Sequence, residues 1–197
     1  MTTTHNRELI ASEAARLLYE EGYRDYFLAK QKAAQRLGCL TDKASQPSNQ
    51  EVHNALIQRR QTLATEKENL HLVEIRQVTI EAMEFLHPYS PALVGSVMDG
   101  TAGVHSPATL HLFANTAEEV MFFLEDNKIP FQTHEQSFRL RGKQEAYPLL
   151  RFYADDYEIE LIVFEMGSPA PLSSVTGKAM KRLSIDGVRE LTQSSTE

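Results

Sequence analysis

The sequence predicts an α+β fold, with an N-terminal helical region packed on a mixed β-sheet flanked by helices. Three observations predict it. Apolar residues recur at helical spacing through residues 7–87. Pro88 and Pro91 then interrupt the chain. Beyond them the pattern alternates with period two in short runs, such as 109–114 and 158–164. The organisation read from this is a helical region at 1–87, an α/β core at 88–192 and a frayed tail at 193–197.

In the first helix Leu9, Ile10, Ala14, Leu17 and Leu18 fall on one face, and Gly22 breaks it. A second helix is expected over 23–38, with Phe27, Lys30, Ala34 and Leu37 sharing a face. Residues 39–47 are polar, contain Pro47 and read as a loop. Ser48-Asn49-Gln50-Glu51 has the Ser-x-x-Glu form of a capping box and opens a third helix carrying Val52, Leu56 and Leu63. A long helix over 66–86 follows, with Leu72, Ile75, Val78, Ala82, Met83 and Leu86 on or near one stripe.

Strands are expected at 92–97 and 109–114. Thr116-Ala117-Glu118-Glu119 opens a helix whose early acids suit the helix dipole, and Asn127-Lys128 closes it. Two further strands are expected at 129–133 and 137–141. Residues 149–153 and 158–164 flank Ala154-Asp155-Asp156-Tyr157 and read as a hairpin. A loop containing Pro169 and Pro171 leads to a last helix, capped by Ser184 and running through Leu191.

Composition narrows the function classes. With 42% hydrophobic and 24% charged residues, the 197-residue chain has an ordinary globular balance. The formal net charge of −7 argues against a protein coated in nucleic acid. A single cysteine, Cys39, leaves no internal disulfide and no multi-cysteine metal site. No local pattern activates that thiol, so it reads as a packing residue in a reducing, cytoplasmic setting. The first residues show no apolar signal core, and no run of about 18 apolar residues exists to cross a membrane.

The chemistry concentrates in residues 93–113. Leu93-Val94-Gly95-Ser96 reads as the end of a strand, Gly100-Thr101 as a turn, and Ser106 leads to Thr109-Leu110-His111-Leu112. Glycines let backbone N–H groups approach phosphate oxygens. This layout resembles the core of the nucleotidyltransferase fold, the polymerase-beta-like superfamily, over roughly residues 85–165. The resemblance implies a phosphate-binding Gly-Ser turn, an Asp-x-Asp strand holding metal, and a third acid on a later strand. Here the paired acids would fall at Pro107 and Thr109, or at Thr109 and His111, and neither register holds a carboxylate. Threonine supplies no charge to neutralise Mg²⁺, and histidine is a poor ligand for a hard cation. Glu160, which shares a strand face with Glu158, matches the third acid best. A solvated strand face explains the same pair. The whole chain also resembles small bacterial proteins of this fold with no assigned activity. The shared segments are Arg24-Asp25-Tyr26-Phe27-Leu28-Ala29-Lys30 near the start and Thr176-Gly177-Lys178-Ala179-Met180-Lys181-Arg182 near the end.

Other patterns are weighed on the same terms. Lys178, Lys181 and Arg182 concentrate positive charge in an acidic half, as an anion site or as a solvated loop. They do not form a phosphate-binding loop of the Walker type, because Leu172 and Ala179 stand where glycine and Ser/Thr are needed. Tyr23, Arg24 and Tyr26 with Lys30, Lys32 and Arg36 could contact RNA phosphates, although interleaved acids favour packing on a neighbouring helix. The seven histidines have no zinc-motif spacing. There is no Gly-x-Ser-x-Gly elbow and no Gly-x-Gly-x-x-Gly.

The leading expectation is a non-catalytic member of the fold that binds a nucleotide or other phosphate-bearing ligand. Gly95, Ser96, Gly100, Thr101, Ser106, Thr109, His111, Glu160, Lys178, Lys181 and Arg182 are its candidate residues. It needs no metal and no catalytic residue. One alternative is an active, Mg²⁺-dependent nucleotidyltransferase using Asp99 and Glu160. Another is a helical adaptor that binds a protein partner through an exposed apolar patch on residues 7–87.

Overall fold

The computed structural model describes residues 3–39, 45–140 and 142–193. Most of the expected loop at 39–47 and almost all of the expected tail lie outside these residues. Seven α-helices and a five-stranded mixed sheet make an α+β protein among the described residues. The chain divides into two compact units, 1–69 with 103–105 and 174–177, and 70–102 with 106–173 and 178–197.

The first unit contains α1 (Thr3–Glu20), α2 (Tyr26–Arg36), α3 (Asn49–Leu63) and the first residues of α4 (Glu66–Phe85). Its core is rich in alanine: Ala11, Ala14, Ala29, Ala33 and Ala34 close around Ile10, Leu17 and Val52. Small side chains let helix backbones approach closely. The face expected for α2 is therefore corrected. Phe27 and Leu37 are exposed; of the expected face Ala34 is buried, joined by Ala29 and Ala33. Its start also shifts, because Asp25 caps it by accepting from the backbone N–H of Phe27 at 2.6 Å and of Leu28 at 3.0 Å. The capping box of α3 is formed in both directions, Ser48 side chain to Glu51 backbone and Glu51 side chain to Ser48 backbone. The cations of the α2 face are engaged locally. Arg36 pairs with Glu21 at 2.6 Å, Lys30 donates to the Pro47 carbonyl at 3.1 Å, and Arg24 donates to the His105 carbonyl at 3.0 Å.

The second unit holds the rest of α4, β1 (Ala92–Val94), α5 (Ser96–Asp99), β2 (Ala108–Ala114), α6 (Ala117–Asp126), β3 (Gln132–Leu140), β4 (Lys143–Ala154), β5 (Tyr157–Glu165) and α7 (Ile185–Gln193). The strand order is β1-β2-β5-β4-β3, with β2 and β5 parallel and every other pair antiparallel. One sheet face carries Ala108, Leu110, Leu112, Ile159, Leu161 and Val163. They share a core with Ile75 and Met83 of α4, Val120 and Leu124 of α6, and Val188 of α7. On the other face Leu149, Ile162 and Phe164 pack with Phe113, Phe138 and Tyr147. The core strands are thus covered on both sides.

Three strand expectations change. The first strand stops at Val94, because Gly95 turns the chain into α5. The two short strands expected near 129–141 are one strand, β3. The hairpin strand expected from residue 149 starts at Lys143. The extension contains Pro148, a residue that cannot donate to a ladder within a sheet. The ladder between β4 and β5 ends at Leu149, so the missing N–H of Pro148 meets no β5 partner. Pro148 still pairs with Glu135 of β3 on its other side.

Asp25→Ala removes two acceptors from the first turn of α2. It should cost about 1 kcal/mol of stability in urea unfolding, whereas Gln31→Ala, at an exposed position of the same helix, should stay within about 0.5 kcal/mol of the native chain.

Candidate functional site

The glycine segment is wound rather than open. Gly95 adopts φ 76° and ψ −152°, a conformation confined essentially to glycine. Its carbonyl accepts from Asp99 N–H at 2.9 Å, and the Ser96 carbonyl accepts from Thr101 and Ala102 at 2.9 and 3.1 Å. Gly100, at φ 73°, ends the turn. Arg76 of α4 braces it from below: this side chain, 3% exposed, donates Nε–H to the Val97 carbonyl at 3.2 Å. Thr101 is buried beside the turn, and Ser106 is half-buried where the chain leads into β2.

Thr109, His111 and Glu160 lie on the sheet face opposite the helical core. Thr109 and Glu160 are direct cross-strand partners in the parallel β2–β5 ladder. Glu158 and Glu160 of β5 share one cation. Arg151 Nη2 donates to Glu160 at 2.8 Å, while its Nε lies 3.2 Å from Glu158 as an ion pair without hydrogen-bond alignment. Glu158 also accepts from the Tyr153 hydroxyl at 3.1 Å. Asp99 is exposed at the end of α5. Among the described residues no group of three His, Cys, Asp or Glu side chains could hold a metal ion. The donor set therefore does not fit the two-metal site of the fold that the sequence resembles.

His111 is fully buried, against the Phe164 ring at 4.6 Å and the Phe138 ring at 6.0 Å. Burial first, and the charge of Arg182 second, push its pKa down to about 3. The neutral ring accepts at Nδ1 from Arg182 Nε–H at 3.1 Å, so the proton sits on Nε2, which has no partner. Arg182 stacks over Phe113 at 4.7 Å and Phe164 at 5.1 Å. Its other bonds go to the carbonyls of Ser168 at 3.2 Å and Pro169 at 3.5 Å. Burial draws its pKa below the ordinary arginine value, but the group stays charged. Among the described residues no carboxylate pairs with Arg182.

Arg182 also lines a cavity of about 670 Å³ beside β1. Met83, Pro91, Ala92 and Ile185 form apolar walls, and Glu84, His87, Ser90 and Ser184 supply polar edges. The Leu183 segment holds one side by pairing with Leu93, 2.9 Å in both directions. Ser184 then caps α7, accepting from the Gly187 N–H at 3.4 Å. A Cβ at Gly187 would meet Leu183 Cδ1 at 2.5 Å, so a larger residue there would displace the Leu183 side chain.

The candidate residues thus separate into groups. Thr109, His111 and Glu160 share a face, and Arg182 reaches His111. Gly95, Ser96, Gly100 and Thr101 build the wound turn. Lys178 and Lys181 are exposed and do not line the cavity. Sequence reasoning missed Arg151, Arg76 and the cavity. Arg151 had a signal: the Asp155-Asp156 turn sets Ala154 opposite Tyr157, and counting back pairs Arg151 with Glu160. Arg76 and the cavity walls had none.

No family model and no curated protein matches this chain.

Removing Arg151 leaves two neighbouring carboxylates without their shared cation. Arg151→Ala should cost about 2 kcal/mol of stability by urea unfolding. Restoring stability with the double variant Arg151→Ala, Glu160→Gln would confirm charge as the cause.

His111 also sets an acid sensitivity. Its folded pKa, about 3, lies below the unfolded 6.5. Between those values the unfolded chain takes a proton that the folded chain refuses. This contribution is complete above pH 6.5 and is lost as pH falls toward 3. The native chain should lose up to about 1 kcal/mol per pH unit across this window from this group. His111→Asn keeps an acceptor for Arg182 and removes the titration. It should flatten the slope in urea unfolding from pH 6.5 to 4, and parallel slopes would contradict the assignment.

Proposed function

We propose that this chain is a non-catalytic protein of the nucleotidyltransferase fold that binds a nucleotide or other phosphate-bearing ligand at Arg182. One observation carries the reading. Arg182, a half-buried cation with no carboxylate partner among the described residues, is one of the residues lining a cavity of about 670 Å³. Desolvating a cation is costly, and aromatic rings and carbonyls offset only part of that cost. An anionic ligand would supply the rest. The volume suits a small organic molecule. Four further observations support the fold assignment: the strand–turn–strand order, the Gly95-Ser96 turn, the antiparallel β1–β2 pair and the Thr109–Glu160 adjacency. The same positions support loss of catalysis, since Thr109 and His111 hold no charge for a metal and Glu160 is committed to Arg151.

The adaptor reading draws on Phe27 and Leu28, exposed neighbours on α2 at 62% and 52%. Two adjacent apolar side chains are a small patch, and nothing anionic is involved. The cavity is the stronger basis for function.

Isothermal titration with AMP, ADP and ATP, each with and without Mg²⁺, tests the proposal. Binding of at least one nucleotide should persist without Mg²⁺ and weaken at least tenfold in Arg182→Gln. Absence of heat with every nucleotide would sink it. Mg²⁺-dependent turnover of a nucleotide would instead favour the active alternative through Asp99 and Glu160.

A further inference from the structure

The chemistry of the cavity narrows the ligand further, resting on the reading that Arg182 binds an anion. We infer that the site selects a single anionic head group, phosphate or carboxylate, on a compact apolar body, and that it disfavours polyphosphates.

The head-group argument starts from donors. A guanidinium has five N–H groups. Among the described residues three are used, by His111, Ser168 and Pro169, leaving two for a ligand. One of these is on Nη1 and the other on Nη2, and each can donate to an oxygen of a carboxylate or phosphate. Neutral His111 fixes Nε, so the fork is oriented before a ligand arrives, which lowers the ordering cost of binding. His111 acts here as a positioning residue.

The charge argument excludes longer phosphate chains. Arg182 is the one permanent cation lining the cavity. Glu84, also on the lining, is paired with Arg189 at 2.7 Å and contributes no positive charge. Among the described residues no cluster could carry a metal ion to neutralise further phosphates. A triphosphate would bring several negative charges to a site that compensates one.

The walls specify the rest of the ligand. Met83, Pro91, Ala92 and Ile185 offer carbon surface and no charge. The hydroxyl of Ser184 accepts from Gly187 and retains a proton to donate. A flat aromatic or branched aliphatic body would replace water against those walls.

The test uses the whole chain and four probes: 1-naphthyl phosphate, 1-naphthoate, inorganic phosphate and ATP. Their affinities are measured by titration of naphthyl fluorescence and by competition. At least one naphthyl anion should bind ten times more tightly than inorganic phosphate and ATP, and neutral 1-naphthol should bind at least ten times more weakly than that anion. Arg182→Gln should weaken the naphthyl anion at least tenfold, and Arg182→Lys, which keeps the charge without the fork, should fall between. Ala92→Leu, which fills the cavity, should weaken naphthyl probes while leaving inorganic phosphate unchanged. ATP or inorganic phosphate binding as tightly as both naphthyl anions would overturn the inference, and that comparison needs no variant. Naphthoate binding without any phosphate probe binding would retain the single-head inference and overturn the phosphate reading. Failure of every probe would overturn both.

Discussion

The burial of β2 on both faces constrains the rest of the second unit. Its even-numbered residues, Leu110 and Leu112, face the core shared with α4, α6 and α7. Its odd-numbered His111 is equally inaccessible on the other side. A strand enclosed in this way cannot keep an unpaired carboxylate without a large desolvation cost. Thr109 and His111 satisfy that condition, one uncharged and the other held neutral. The acids of β5 satisfy it differently, by sharing Arg151.

The same burial shapes the site around Arg182. A neutral histidine in an aromatic cluster can accept a hydrogen bond but cannot balance a charge. Phe113 and Phe164 stabilise the guanidinium through their ring faces, and carbonyls take two more of its protons. The result is an oriented cation with spare donors at the edge of an apolar cavity. The wound Gly95 turn, braced by Arg76, lies just after β1 and fixes where that strand ends. A positive φ at Gly95 and the close packing of Gly187 on Leu183 bracket the segments that line the cavity.

Much of the fold was legible because its signals are local. The Ser48–Glu51 box needs only four residues, and it formed as read. The long helix from Glu66, the switch of period near Pro91 and the Asp155-Asp156 hairpin are similarly short-range. The failures each involve a distant partner. Phe27 and Leu37 were apolar and in phase, yet α2 buried alanines because a close-packed neighbour leaves room only for small side chains. The strand expected from residue 149 extends back through Pro148 to Lys143, and the partner along that extension is β3, since the β5 ladder ends at Leu149. The site shows the same division. His111 and Arg182 were picked out for different reasons, by register and by charge, while their contact spans 71 residues of sequence.

The sequence by itself determined the α+β class, the capped start of α3, the glycine turn and the want of paired acids after Ser106. These follow from residue identity and from spacings within a few residues, where backbone sterics and periodicity act directly. Tertiary structure decided which strand face is buried, which carboxylates share Arg151, and that Arg182, beside a cavity, has no carboxylate partner among the described residues. Those outcomes depend on desolvation and on strand register between segments far apart in the chain. Neither is set until the strands pair and the helices cover them.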